Sequence, residues 1–433
     1  MQITSSYKVE ILKLHKPLEE TLKVCRRAVE WLCPVVDGEW EALSRIRKEK
    51  DRFNAAEKLI HTTKNNEAKY AFDEEFPKMP SYLRRAILQH VIGTVSSTRS
   101  RAGEVPWNGA CRRMIRNHYM PVFYKDNMYR KEEDRVYLKL YNGKDWIWQE
   151  IHLRRTDVSY LRKHWSGIRA KSPVLIKRYR KYFLQFAFEQ SVELTKKEVE
   201  KQRICAVDLG INTDAVCSIM TADGTVAARK FISFTAEKDH LYHVLGRIKK
   251  EQRKHGSKSV RSSWAYARRL NEEIARKTAV AIIAFAGQNG ADVIVFEHLE
   301  MKGKIRGKSR QKLHLWKKQA VQQVAEHNAH RLGMRLSRVC AWNTSALAFD
   351  GSGKLERDKK NHSLAVFRNG KQYNCDLSAS YNIGARYFIR EIIKPVPETE
   401  RSALAAKVPA VQRRTSCVYA DLLKLREWKA GAA

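Results

Sequence analysis

The run Ile204-Cys-Ala-Val-Asp208-Leu-Gly210 closes an apolar stretch on one acid and reaches a glycine two residues later. Read as a strand, it sends Ile204, Ala206 and Asp208 to one face and Cys205, Val207 and Leu209 to the other. Asp208 then emerges at the strand's C-terminal end. Gly210 has no Cβ, so the backbone can bend there and a phosphate or metal can come close. Alone, the stretch reads equally well as a strand stopping at an Asp-x-Gly turn. Two later stretches bear on the choice.

A chain of 433 residues exceeds one ordinary core and suggests roughly two to four domains. A hydrophobic fraction of 43%, with 10 Trp, 17 Tyr and 14 Phe, supplies packed cores. The net charge of +36, from 83 Lys and Arg against 47 Asp and Glu, would repel itself in a compact state without a polyanion. Nucleic acid is the expected partner, bound with strong salt dependence because each neutralised phosphate releases counterions. A ribosomal-type structural protein or an anionic membrane surface would also explain the charge, but the acids below argue against both. Lys8, Glu10, Lys13, Lys16 and Glu19 interrupt any apolar signal segment. The longest apolar-looking run, residues 279–287, is far short of the ~20 residues of a membrane span. A soluble, cytoplasmic protein without a membrane partner is expected. Eight cysteines with no CxxC pair point to reduced, mostly buried thiols.

Residues 7–14 alternate apolar and charged like a half-exposed strand. From Leu18 the period turns helical, and residues 18–117 read as a helical domain with loops around 34–38, 77–80 and 103–109. Strands at 136–141 and 146–153 flank Asn142-Gly143, a strong hairpin signal. With 174–179 and 182–188 they read as a small β-barrel over residues 1–17 and 118–200. Arg154, Arg155, Arg162, Lys163, Arg178 and Arg180 decorate it beside Trp165. Such a mixture suits RNA, where rings stack on bases and cations track the backbone. For any single side chain, a solvated basic face over an aromatic core is the plainer alternative. A charged helix, 189–202, leads into the opening strand. Strands at 215–220 and 225–231, helices at 236–255 and 262–287 and a strand at 292–299 then follow the order of an RNase H-like α/β domain, assigned to residues 201–342 and 374–433. Residues 302–318 carry Lys302, Lys304, Arg306, Lys308, Arg310 and Lys312 with no acid, as in a substrate clamp or a flexible charged loop. A helix to 332, a strand at 334–341, a Gly-containing insertion at 343–373, a helix at 376–393 and a loose tail ending in a helix at 419–428 complete the chain.

Glu297 shares its strand face with Val293 and Val295 and closes that strand as Asp208 closes its own. Two parallel neighbours ending this way bring their carboxylates together. Asp376 opens the helix Asp-Leu-Ser-Ala-Ser-Tyr-Asn382-Ile-Gly, apolar on most sides and so buried against the sheet. Taken alone, Asp376 is an N-cap contributing about 1 kcal/mol. Three gathered acids are costly without a cation, and hard oxygen ligands without a thiol or imidazole set select Mg²⁺ or Mn²⁺. Two such ions about 3.5–4 Å apart can generate hydroxide, orient it in line and stabilise the leaving oxygen of a phosphodiester. That is nuclease chemistry.

Val207-Asp208-Leu-Gly210-Ile, Phe296-Glu297-His-Leu and Asp376 to Ile383 resemble, in order, the three split motifs of the RuvC nuclease domain in TnpB proteins of insertion sequences and in miniature type V CRISPR effectors. The resemblance implies an RNA-guided DNA endonuclease, in which a guide RNA pairs with one strand of double-stranded DNA and the protein reads a short flanking motif. It implies that Asp208, Glu297 and Asp376 are catalytic and hold two Mg²⁺ or Mn²⁺ ions, with Asn382 a helper near the third acid. The barrel becomes a wedge and the helical region a recognition domain. Glu300 is the fallback second acid, on the wrong strand parity. The sequence favours neither a monomer nor a homodimer. Two other readings stand beside this one. A non-cleaving RNA-guided repressor is disfavoured by the intact acid triplet, and an actin-like or sugar-kinase-like ATPase by the charge and by the lack of a later glycine-rich nucleotide loop.

The resembling family carries a zinc ribbon of two Cys-x-x-Cys pairs before its third motif. Here only Cys340 and Cys375 flank the insertion, too few thiols for a four-coordinate site. No zinc is expected; Leu347, Phe349, Leu364, Phe367 and Tyr373 are expected to form a small apolar core, with the insertion contacting target nucleic acid.

Overall fold

The computed structural model describes the whole chain except residues 14, 103–118, 133–134, 257–259, 299–316, 359–360, 362, 409–415 and 433. It divides into two units, residues 2–190 and residues 191–433 with Met1.

In the first unit, β1 (Gln2–Ile11) is followed by α1 (His15–Gly38), α2 (Trp40–Arg45), α3 (Glu49–Ile60), α4 (Phe72–Glu75) and α5 (Ser81–Ala102). Leu18, Leu22, Cys25, Val29 and Leu32 form the buried stripe of α1. That helix runs through Pro34, where a loop was expected. Burial of Cys33 and Val36 beside it outweighs the single hydrogen bond that proline removes. β2 (Tyr129–Glu132), β3 (Arg135–Tyr141) and β4 (Trp146–Ile151) form an antiparallel sheet. Gly143, at φ +102°, supplies its hairpin turn. After α6 (Arg155–Trp165), β5 (Val174–Arg178) and β6 (Lys181–Ser191) form a second sheet in the order β1-β6-β5. Among the described residues there is no closed barrel. α6 intervenes between the two sheets in the chain, and only isolated bridges such as Ile11–Leu153 link their strands.

The helix expected at 189–202 does not form. Its first residues extend β6, and the amides of Val192 and Thr195 donate to the carbonyls of Met1 and Gly333. Only a 3₁₀ turn, Val199–Lys201, remains. Backbone pairing with distant segments overrides the helix preference of Glu and Lys.

The second unit holds β7 (Arg203–Asp208), β8 (Ala215–Thr221), β9 (Val226–Ile232), α7 (Thr235–His255), α8 (Arg261–Gln288), β10 (Val293–His298), α9 (Lys318–Arg331) and β11 (Arg335–Cys340). A small sheet of β12 (Glu356–Arg357), β13 (Leu364–Val366) and β14 (Gln372–Asn374) follows, then α10 (Cys375–Ile393), α11 (Glu398–Lys407) and α12 (Tyr419–Ala432). The main sheet has the order β11-β10-β7-β8-β9, with β10 parallel to both β7 and β11 and the β7-β8-β9 meander antiparallel. Alternation along β7 places Ile204 and Ala206 in the core shared with α10, and Cys205, Val207 and Leu209 in the core shared with α8 and α9. α10 is buried on nearly every side. Its Gly384 lies so close to the sheet that a Cβ there would overlap Met220 Sδ and stand 3.2 Å from Ala206 Cβ.

α11 occupies part of the tail that was expected to be loose. Pro397 stands at its N-cap, and Glu398 and Glu400 in its first turn complement the helix dipole. In the insertion, the Phe349 ring lies 5.6 Å from Phe367 and 4.9 Å from Tyr373. It also meets Tyr381 of α10 at 5.3 Å and Tyr419 of α12 at 6.0 Å. The insertion therefore shares its apolar core with two helices rather than closing on itself.

Candidate metal-dependent active site

β7 and β10 lie side by side in the same direction, with Phe296 opposite Val207, and the next residue of each strand is an acid. Asp208 and Glu297 stand on the face that α10 covers, and each is 8% exposed. Asp376 lies in the first turn of α10 and is half-buried. The capping role that sequence offered for Asp376 belongs to Asn374, whose side-chain oxygen accepts from the Leu377 amide at 2.9 Å. Asp376 is thereby left to face the other acids.

Burial raises Asp208 well above the ordinary carboxylate range, and repulsion from Glu297 and Asp376 raises it further, with Arg357 partly offsetting both. Burial also raises Glu297, against the Thr344 hydroxyl, Arg386 and Lys318. Asp376 is raised by burial, against the Cys375 thiol and Arg357. All three directions say that the site is short of positive charge. Burial pushes the Cys375 thiol up to about 11, so it stays protonated and leaves the site to oxygen donors. Such a donor set fits a hard divalent cation, Mg²⁺ or Mn²⁺. Among the described residues no group of three or more His, Cys, Asp or Glu side chains stands close enough together to hold a metal ion as placed. The fit lies in donor chemistry, burial and missing charge, not in a finished cage.

The surroundings hold Glu297 firmly. The Thr344 hydroxyl donates to its Oε1, and Gln322 Nε2 donates to its backbone carbonyl at 2.9 Å. Asn382, fully buried, donates through Nδ2 to the carbonyls of Thr344 (3.0 Å) and Leu347 (2.9 Å) and accepts the Tyr419 amide at Oδ1 (3.0 Å). It staples the insertion and α12 to α10. At Gly210 a Cβ would stand 2.6 Å from the carbonyl oxygen of Thr213, so the glycine is demanded by the chain's own turn rather than by an incoming ligand.

The basic residues differ in burial. Arg154 is half-buried and pairs with Glu10, and Arg155, Arg162, Lys163, Arg178 and Arg180 are exposed. Trp165 is core rather than a stacking platform: it is 7% exposed and its ring stacks on Phe188 at 4.6 Å. Glu300, Lys302, Lys304, Arg306, Lys308, Arg310 and Lys312 lie outside the described residues. Sequence reasoning missed Arg357 and Arg386, whose charges reach the acids from β12 and from the second half of α10. The spacing of a lone arginine carries no sign of a partner brought near by the fold.

Residues 5–142 match the Aq_aa04 family. No curated protein matches the chain. Among solved structures, the chain is similar to the Cas12f1 protein of a cryo-EM Cas12f1–sgRNA–target DNA complex, with a TM-score of 0.51 and 13% identity over 84% of this chain and 81% of that one. The two share a fold. The protein of a cryo-EM CRISPR-Cas12f ternary complex matches with a TM-score of 0.32 and 13% identity, over 85% of this chain and 80% of that one. The protein of a crystalline AacC2c1–sgRNA binary complex matches with a TM-score of 0.41 and 10% identity, over 86% and 65%.

Proposed function

We infer that this chain is an RNA-guided DNA endonuclease, a miniature type V effector similar to TnpB proteins, whose second unit is a RuvC-like nuclease domain. The observation that carries the reading is the electrostatic meeting of three acids, in which Asp208 feels both Glu297 and Asp376 in a buried site short of positive charge. The net charge of +36 supports a polyanionic partner. The fold shared with a Cas12f1 protein that was solved with sgRNA and target DNA supports a guide RNA and double-stranded DNA as those partners. In this reading residues 1–17 and 118–200 form the wedge, 18–117 the recognition domain, and the insertion 343–373 a contact to target nucleic acid.

Asp208, Glu297 and Asp376 would hold two Mg²⁺ or Mn²⁺ ions. When bound, the ions supply a water-derived nucleophile at neutral pH and neutralise the leaving oxygen. The chain's own contribution is positioning. Thr344 fixes one oxygen of Glu297, Asn382 fixes the loop bearing Thr344, and Asn374 frees the Asp376 carboxylate by taking over the cap. Exposed Arg155, Arg162, Lys163, Arg178 and Arg180 would track nucleic-acid phosphates.

Purification from cells, sequencing of co-purified RNA and Mg²⁺-dependent cleavage of DNA matching that RNA's 3′ end test the reading. A protein with no bound RNA and no cleavage refutes it. Asp208→Ala is expected to abolish cleavage while leaving nucleic-acid affinity within about twofold, because a metal ligand contributes to the transition state rather than to phosphate neutralisation.

A further inference from the structure

In α6, Arg155, Arg162 and Lys163 are exposed and Asp157 is the only acid. Asp157 is turned inward: it is half-buried, and its Oδ2 accepts the Glu10 amide at 3.0 Å. The helix meets the core through Val158, Leu161 and Trp165. Tyr160, Lys163 and His164 stand three and four residues apart, so they share a different face. Arg155 and Arg162, two turns apart, share an exposed flank of the same helix.

The rings on that face are already assembled. Tyr7 of β1 stacks on Tyr160 at 4.6 Å with 17° between the planes, and Tyr160 meets His164 at 4.4 Å with 38°. Tyr160 is the ring common to both contacts. The ladder therefore runs from half-buried Tyr7, through Tyr160 at 43% exposure, to exposed His164. Rings held by their neighbours have little rotational freedom left to lose when another ring is added.

A row of rings beside cations fits flat groups joined by phosphates, which is the chemistry of a single-stranded nucleic acid. In a duplex the bases stack on one another, whereas in the loops, bulges and ends of a folded RNA they are free to splay out onto side chains. We propose that the outer surface of α6 binds an unpaired segment of RNA, with a base stacked on His164 at the end of the ladder and Arg155, Arg162 and Lys163 on the adjoining phosphates. The surface takes the stacking role that the sequence offered to Trp165, which is core. The proposal deepens the nuclease reading and rests on it only for the choice of RNA as the partner.

The test irradiates the full chain, carrying its co-purified RNA and bound to target DNA, with ultraviolet light and maps the adducts by mass spectrometry. A ribonucleotide adduct on Tyr160 or His164 is expected. A deoxyribonucleotide adduct there, or none while other peptides carry RNA, overturns the proposal. Binding of an unstructured RNA of about 12 nucleotides is measured alongside. His164→Ala should weaken it about fivefold or more at both about 0.1 M and about 0.5 M NaCl, because stacking releases no counterions, and His164→Phe should restore it. Lys163→Gln should instead lower the salt slope by about 0.7. Circular dichroism checks that each variant folds. Parental affinity in His164→Ala, or a loss that vanishes at the higher salt, overturns the platform. A chain that carries no cellular RNA would refute the nuclease reading and leave the binding assay to decide the platform.

Discussion

Asn382→Ala should detach two segments of the second unit at once. The side chain makes three buried hydrogen bonds, all to backbone: Thr344 and Leu347 carbonyls receive from Nδ2, and the Tyr419 amide donates to Oδ1. Truncation leaves these three groups without partners, and each unsatisfied buried group costs about 1–3 kcal/mol. Water entering the vacated space can serve one or two of them, so a net loss of about 3–5 kcal/mol is expected. Hydrogen exchange followed by mass spectrometry reads the effect locally. Peptides covering 343–350 and 417–425 should exchange about 10²–10⁴-fold faster, while peptides from β8 and α8 change little. Loosening Thr344 also removes the hydroxyl that donates to Glu297, driving that carboxyl further up. Asn382→Asp keeps the acceptor for Tyr419 but turns a carboxylate toward two carbonyl oxygens, and should destabilise more as pH rises. Exchange within threefold of the parent in both segments after Asn382→Ala would refute the stapling role.

Other expectations follow from the same geometry. In metal-free protein the raised Asp208, Glu297 and Asp376 carboxyls hold more protons folded than unfolded, so stability present below the ordinary carboxylate range is lost as pH rises through the raised values. Urea midpoints measured in EDTA should therefore show Asp208→Asn gaining on the parent as pH rises from about 4 to about 7, and Mg²⁺ should close the gap; a constant difference would count against the cluster. Gly384→Val has no room between α10 and the sheet and should destabilise by about 1–3 kcal/mol, read from denaturant midpoints. Trp342, two residues before Thr344, is 68% exposed, and an exposed ring can stack on a base. Trp342→Ala should weaken single-stranded DNA binding about 5- to 150-fold, from a stacking contribution of about 1–3 kcal/mol, and unchanged affinity would refute that use of the ring.

Much of the second unit was legible from period and punctuation. The alternation in 204–208 and 293–297 placed Asp208 and Glu297 on one face, and the structure puts both on the side that α10 covers. The apolar wrap of 376–393 announced a helix buried all round. Local signals failed where distant backbone supplied the hydrogen bonds. Residues 189–202 carry good helix formers, yet Met1 and Gly333 take up the amides of Val192 and Thr195. Pro34 reads as a stop, yet α1 continues because its neighbours are buried. Trp165 among arginines reads as a platform, yet it stacks on Phe188.

What sequence alone determined is the chemistry available: three acids each at the end or start of a regular element, a large positive charge, and thiols too few for a ribbon. Those depend on residue identity and on periods of two and 3.6, which are local properties of the chain. Only tertiary structure decided how the residues are used. It gave the cap of α10 to Asn374 and freed Asp376, turned Asn382 into a staple, assigned Gly210 to its own turn, and set Arg386 against the carbonyls of Cys340, Trp342 and Cys417. Those outcomes depend on which distant carbonyl, amide or side chain arrives beside each group, and no spacing along the chain encodes that.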